Sequence, residues 1–187
     1  MQPLHGRTES ATHTAKIARP KGFTLIELMV TIAVAAILLA IATPSFTSII
    51  NSNRLTSAAN EMVATLQAAR MEAVRLNTTV NVCTGCDGNA GSLVAFVDAN
   101  NDGDADAGEP IRVATVNPAV QLSGGTALVF LASGFGHDAA DPNGALLATS
   151  FRFCIPTTTP AENVRVVSVA SGSRISTAHE DGGGACP

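Results

Sequence analysis

A predominantly apolar run of twenty residues, 23–42, constrains this chain more than any other feature. At about 1.5 Å of rise per residue, a helix of this length spans roughly 30 Å, the thickness of the hydrocarbon core of a bilayer. The basic residues Lys16, Arg19 and Lys21 and the small residue Gly22 come before the run, whereas a secretory signal places its cleavage site after its apolar core. A cut after Gly22 would therefore remove a leader, residues 1–22, and leave the apolar helix on the mature protein.

Gly22, Phe23 and Glu27 resemble the prepilin motif of the type IV pilin family, a basic leader followed by Gly, an N-methylated Phe and a Glu four residues later. The resemblance implies that prepilin peptidase cuts after Gly22 and methylates Phe23. It also implies that Glu27 helps subunits to dock by pairing with the terminal amine of a neighbour. A carboxylate at the centre of a membrane helix costs about 2.5–3.5 kcal/mol, but Glu27 is close enough to the new N-terminus to reach the interface. The alternative is an acid at the interface without a partner.

The charge distribution predicts the orientation of a single span. The leader carries four basic residues and one acid, and a positive flank marks the cytoplasmic side of a span, so the rest of the chain is expected outside the cytoplasm. The resemblance implies a single-pass inner-membrane protein with its head in the periplasm, later part of a pilus or pseudopilus. Without the leader, the chain's basic residues fall from eleven to seven and its acidic residues from fifteen to fourteen, a net charge of −7. Such a surface argues against non-specific binding to nucleic acid.

Residues 43–76 show the period of an amphipathic helix, with apolar residues every three or four positions at Leu55, Ala59, Met62, Leu66, Ala69 and Ala73. The segment Leu66-Gln67-Ala68-Ala69-Arg70-Met71-Glu72-Ala73 resembles the "LQxARSEA" segment of the GspH/FimT subgroup, with Met71 in place of Ser. This narrows the resemblance to minor pilins and pseudopilins.

Residues 77–187 are expected to form one β-rich head, because short β-branched or aromatic runs alternate with Gly, Pro, Asn and Asp. The predicted strands are Thr78–Val82, Leu93–Val97, Ile111–Val116, Ala127–Leu131, Ser150–Ile155 and Val164–Ala170. The predicted fold is α+β: the long helix, membrane-spanning over 23–42 and amphipathic over 43–76, packs against an antiparallel head as in type IV pilins.

Four cysteines lie in this head, and a periplasmic location favours disulfides. Of the three connectivities we favour Cys83 with Cys86 and Cys154 with Cys186, since the second bond would hold a Gly-rich tail that otherwise frays. A zinc site is the alternative, but only Cys83 and Cys86 have the spacing of zinc ligands.

An acidic segment matches the calcium-loop pattern D-x-[DN]-x-[DN]-G-x5-E. Its candidate calcium ligands are Asp98, Asn100, Asp102, Asp104, Asp106 and Glu109. The flanking residues predict strands and not the helices of an EF-hand, and Asn, Asp and Gly are also common in hairpin loops. Two interpretations follow, a calcium site and a plain polar hairpin, and the second is favoured.

The sequence contains no recognisable constellation of catalytic residues, so a non-enzymatic, structural role is expected. The leading hypothesis is a minor pilin in the tip or initiation complex of a type IV pilus, with prepilin peptidase and other pilins as partners. The alternatives are a GspH-type pseudopilin of type II secretion and a DNA-binding minor pilin. DNA-binding members of the subgroup carry a C-terminal "GRxR" element. Here the corresponding place retains only Arg174, which Arg152 and Arg165 would have to join to form a basic patch.

Overall fold

The computed structural model describes residues 22–89 and 91–187, so the predicted leader lies outside the described residues apart from Gly22. One helix, α1, runs from Leu25 to Leu76, over 52 residues. It ends where Asn77 adopts a left-handed backbone (φ 52°) and the Thr78 amide donates to the carbonyl of Ala73, a Schellman-type cap. The chain divides into two compact units, residues 1–40 and 41–187, and each is described by itself.

The first unit, as far as it is described, is the beginning of α1, whose apolar side chains are exposed.

In the second unit, the rest of α1 packs against two β-sheets. The predicted apolar stripe is buried throughout, and its members Leu55, Met62, Leu66, Ala69 and Ala73 have no exposed surface. They join one core cluster with residues from both sheets, among them Val82, Phe130, Phe153 and Val167. The predicted α+β fold is confirmed.

Ten strands form two antiparallel sheets. The six-stranded sheet has the order β3-β2-β1-β5-β6-β7, and the four-stranded sheet has the order β10-β9-β8-β4. The strands are β1 Val80–Thr84, β2 Ser92–Phe96, β3 Pro110–Thr115, β4 Gln121–Gly124, β5 Leu128–Phe130, β6 Gly136–Asp138, β7 Asp141–Leu146, β8 Thr149–Cys154, β9 Val164–Ala170 and β10 Arg174–Glu180.

Alternation along the strands assigns two faces to the four-stranded sheet. On β9, Val167 and Val169 belong to the core shared with α1, whereas Val164 and Val166 lie on the opposite face. There they form a small cluster with Cys154, against which Cys186 of the C-terminal tail packs.

All six predicted strands exist, with ends shifted by up to two residues, and four further strands were not predicted. Three of the four, β4, β7 and β10, are edge strands, and the fourth, β6, is the three-residue strand Gly136–Asp138 next to an edge. Edge strands bury little, so they carry polar, Gly and Pro residues that look like loops in the sequence.

Candidate functional site

The helix begins just after the predicted cleavage site. Gly22 and Phe23 precede it, and the Phe23 side chain is 79% exposed. Thr24 caps the helix, because its hydroxyl accepts the Glu27 amide at 3.3 Å and its carbonyl accepts the Leu28 amide at 3.2 Å. The spacing Thr24-x-x-Glu27 is that of a capping box, a signal that our sequence reasoning missed. Glu27 also lies in the first turn, where the helix dipole favours an acid.

Large apolar side chains along the first part of α1 are exposed. They include Leu25, Ile26, Leu28, Met29, Val30, Ile32, Val34, Ile37, Leu38, Leu39 and Ile41. Apolar surface costs about 25 cal/mol per Å² in water, so this segment requires a membrane or other apolar helices around it. By length and composition, the helix is able to cross a membrane.

Gly22 has no structural reason to be glycine in the described part of the chain. A side-chain carbon placed on it would meet nothing within 4 Å, and its backbone does not lie in the left-handed region that favours glycine.

The cysteines lie in two pairs. The Cα atoms of Cys83 and Cys86 are 6.0 Å apart, those of Cys154 and Cys186 are 5.6 Å apart, and both pairs are bonded in the structure. With no free cysteine among the described residues, none remains as a zinc ligand. The connectivity stays a prediction for peptide mapping of the oxidised protein.

The acidic segment 98–109 connects β2 to β3 and is hydrogen-bonded to itself. Asp98 accepts the Gly103 amide at 3.0 Å, Asp102 accepts the Asp104 amide at 2.9 Å, and Glu109 accepts the amides of Ala99 and Asp106. One further bond, from the Ala105 amide to the Cys86 carbonyl, attaches the loop to the disulfide turn.

These contacts bear on the calcium hypothesis. Across residues 22–89 and 91–187, no group of three His, Cys, Asp or Glu side chains is placed to hold a metal ion. Among the six candidate ligands, Asp98, Asn100, Asp102 and Glu109 accept amides of the loop, Asp106 accepts the Asn100 side chain at 3.0 Å, and Asp104 is exposed. The Oδ1 atom of Asp98, by contrast, is buried without a hydrogen-bond partner in the described part of the chain, so the hairpin and calcium interpretations both stay predictions.

The three candidate DNA-binding arginines do not form a patch. Arg165 is 3% exposed and donates to the carbonyls of Glu162 and Val164 and to the Ser52 hydroxyl of α1. Burial lowers the pKa of Arg165, an effect that the Glu162 carboxylate opposes. Arg152 faces Glu180 at 3.6 Å. Assigning Arg165 to a DNA surface was wrong, because its position on β9 turns it inward and its two terminal nitrogens donate inside the head, while its Nε is buried without a partner. Arg174 alone is exposed and without a carboxylate within reach among the described residues.

Arg70, on α1, is the arginine that the structure places beside Arg174. Both line one groove of about 480 Å³, together with Gln67, Met71, Ser173 and Ile175. Arg70 donates to the Ser173 carbonyl at 3.2 Å, and the buried Ser173 hydroxyl accepts the Gly136 amide at 2.7 Å. The helical segment 66–73 therefore has two faces: Leu66, Ala69 and Ala73 enter the core, while Arg70 holds the turn between β9 and β10.

An exposed apolar helix with an acid in its first turn, continuing into a half that packs on antiparallel sheets, defines a type IV pilin-like protein. The family model for the prokaryotic N-terminal methylation motif matches residues 17–43. The family model described as type II transport protein GspH matches residues 58–172, more than half of the chain. The chain therefore belongs to the GspH family.

Three solved structures resemble the chain. Two crystal forms of the type IV minor pilin FimU of Pseudomonas aeruginosa share 25% and 26% identity, with TM-scores of 0.47 and 0.49. The matches cover 66% and 68% of this chain and 92% and 90% of FimU. The minor pseudopilin EpsH from the type 2 secretion system of Vibrio cholerae is 14% identical, with a TM-score of 0.49, over 67% of this chain and 97% of EpsH. No curated protein sequence matches the chain.

Proposed function

We propose that this chain is a minor pilin that is cut after Gly22, methylated on Phe23 and incorporated into a type IV pilus, in its tip or initiation complex. Before assembly it spans the inner membrane once, with its head in the periplasm. The observation that carries the proposal is the exposed apolar surface along the beginning of α1, directly after the methylation motif. Such a helix is stable in a bilayer and equally in a bundle of similar helices.

Glu27 makes the bundle of helices more favourable for this subunit than the membrane. Cleavage after Gly22 creates a positively charged amine on Phe23, four residues before Glu27. In a bundle, the amine of one subunit neutralises the Glu27 carboxylate of the next, and the attraction is stronger in an apolar environment than in water. A subunit without the Glu27 carboxylate loses this attraction to the amine of its neighbour, although its apolar surface is unchanged.

The test compares three variants in a strain that lacks the chromosomal gene. Glu27→Ala removes both the charge and the side chain that a capping box uses, Glu27→Gln keeps a side chain suited to the capping box but removes the charge, and Thr24→Ala removes the hydroxyl that accepts the amide of residue 27. We expect all three to be inserted and cleaved. Both Glu27 variants should fail to restore pili, and Thr24→Ala should restore them.

Restoration of pili by Glu27→Gln would contradict charge compensation and leave capping as the role of this residue. An uncleaved Glu27→Gln would instead show that the acid acts in processing.

A GspH-type pseudopilin of type II secretion is the second candidate, favoured by the description of the matching family model. The same deletion strain separates the two, because loss of a pilus leaves secretion intact, whereas loss of a pseudopilin stops export of the secreted enzymes. We expect loss of piliation. Loss of secretion with normal pili would favour the second candidate.

A further inference from the structure

Two exposed arginines meet in the groove lined by Gln67, Arg70, Met71, Ser173, Arg174 and Ile175, which we call the arginine groove. Neither has a carboxylate within 4 Å in the described part of the chain, whereas Arg75, Arg112 and Arg152 each have one. Arg70 is held in place by its bond to the Ser173 carbonyl, and Arg174 begins β10 on the other side of Ser173. The groove is therefore a cationic site, fixed on one side, on a protein that is acidic overall.

The acidic loop, residues 98–109, carries the charge opposite to that of the arginine groove. It carries five carboxylate residues, and no arginine or histidine of the described chain forms an ion pair with it. Residues 99–104 at its tip are exposed, and its internal hydrogen bonds give the tip a defined shape. The loop is also attached to the head by the bond between the Ala105 amide and the Cys86 carbonyl.

We propose that the arginine groove of one copy of this chain binds the acidic loop of a second copy. Arg70 and Arg174 pair with the carboxylates of Asp102 and Asp104, and Met71 and Ile175 provide the apolar part of the contact. Groove and loop are different surfaces, so the contact between the two copies is heterologous. Such a contact suits subunits whose helices all point the same way.

The groove fits a carboxylate segment better than duplex DNA. DNA affinity grows with the number of phosphates neutralised, and two arginines with apolar neighbours on a mature chain of net charge −7 neutralise few. A short acidic loop needs only these two cations and also uses the apolar walls.

The test is cross-linking between two differently tagged full-length copies in the membranes of one cell. One copy carries Ser176→Cys, an exposed position on β10, and the other carries Asn101→Cys, at the tip of the acidic loop. A short bis-maleimide should join them. Arg70→Gln with Arg174→Gln in the first copy should reduce the yield roughly tenfold, since exposed ion pairs are individually weak but two are lost together. Asp102→Asn with Asp104→Asn in the second copy should do the same.

Exchanging the charges between the two copies distinguishes loss of the contact from loss of folding. Arg70→Glu with Arg174→Glu should abolish the product, and Asp102→Arg with Asp104→Arg in the other copy should restore most of it. Arg174→Gln alone leaves the bond from Arg70 to Ser173 in place and should still lower the yield. Arg54→Gln, an exposed helical arginine outside the groove, is the matched control and should have no effect.

The proposal is overturned by absence of the product in the parent pair, by a yield that ignores the charge changes, or by failure of the exchange to restore it. Retention of duplex DNA by the full chain, lost in Arg174→Gln, would overturn it in favour of a nucleic-acid site. Processing after Gly22 and restoration of pili are scored on the same strains, so failure of this contact is distinguishable from failure of the proposed function.

Discussion

Asn163 is the residue whose replacement tests the packing of the head most sharply. It has no exposed surface, and it lies just before β9. Its amide donates to the carbonyls of Ile155 and Ala185, both at 2.9 Å, and its oxygen accepts the Gly182 amide at 2.8 Å. One side chain thus connects the end of β8 with the C-terminal tail that Cys186 also holds.

Asn163→Ala leaves three backbone groups without their partner. A buried polar group without a partner costs about 1–3 kcal/mol, and the bond to Ile155 is fully buried whereas the two bonds to the tail are partly buried. The expected loss in the free energy of unfolding is therefore about 2–4 kcal/mol in total. For a chain of this size, that lowers the melting temperature by about 5–15 °C.

Calorimetry of the full chain in detergent is the suitable assay, because the protein contains no Trp or Tyr to report unfolding by fluorescence. Asn60→Ala, at an exposed position on α1, is the control and should change stability by less than about 0.5 kcal/mol. In a chain where Cys154→Ala and Cys186→Ala remove the second disulfide, Asn163→Ala should lower the free energy of unfolding by about 1 kcal/mol less than it does in the parent. The reason is that the disulfide and the Asn163 hydrogen bonds both hold the C-terminal tail. Equal melting temperatures for Asn163→Ala and Asn60→Ala, or strictly additive losses, would refute this reasoning.

Three further predictions concern the surface of the head. Millimolar calcium should leave the melting temperature unchanged, because four of the six candidate ligands already accept amides of the loop; a rise abolished by Asp98→Asn would contradict this. Duplex DNA should not bind at moderate salt in an anisotropy titration, and tight binding lost in Arg174→Gln would move the assignment to DNA uptake. A hydrogen bond from Ser92 is the main cause that lowers the pKa of Asp87, so this carboxylate stabilises the fold above the unfolded pKa near 3.9. The difference in melting temperature between the parent and Asp87→Asn should then shrink as the pH falls below about 4, as followed by calorimetry.

The core elements were predictable because burial leaves a periodic pattern in the sequence. The stripe from Leu55 to Ala73 predicted the packed face of α1, and runs such as Val164–Ala170 predicted central strands. Strand β10 has the sequence Arg-Ile-Ser-Thr-Ala-His-Glu and is mostly exposed, so neither period nor composition distinguishes it from a loop. Its pairing with β9 over seven residues is a tertiary effect.

The candidate site was predictable where a motif is local and unpredictable where it depends on distant contacts. Gly22, Phe23 and Glu27 lie within six residues of one another in the sequence. Thr24, whose role as a cap was overlooked, lies in the same short segment. Arg70 and Arg174 are far apart in the chain and meet only because the turn before β10 returns to α1. Arg165 looked equivalent to Arg174 in sequence, but its position on a central strand directs it inward.

The mature N-terminus tests the central claim most directly. The protein is purified from membranes of its own cells, and its intact mass and N-terminal peptide are determined beside those of the protein from cells that lack prepilin peptidase. The account predicts one species that begins at Phe23 and carries one methyl group on the terminal amine, and an uncut chain in the cells without the peptidase. A mature protein that retains residues 1–22, or that begins downstream of the apolar segment, would contradict it.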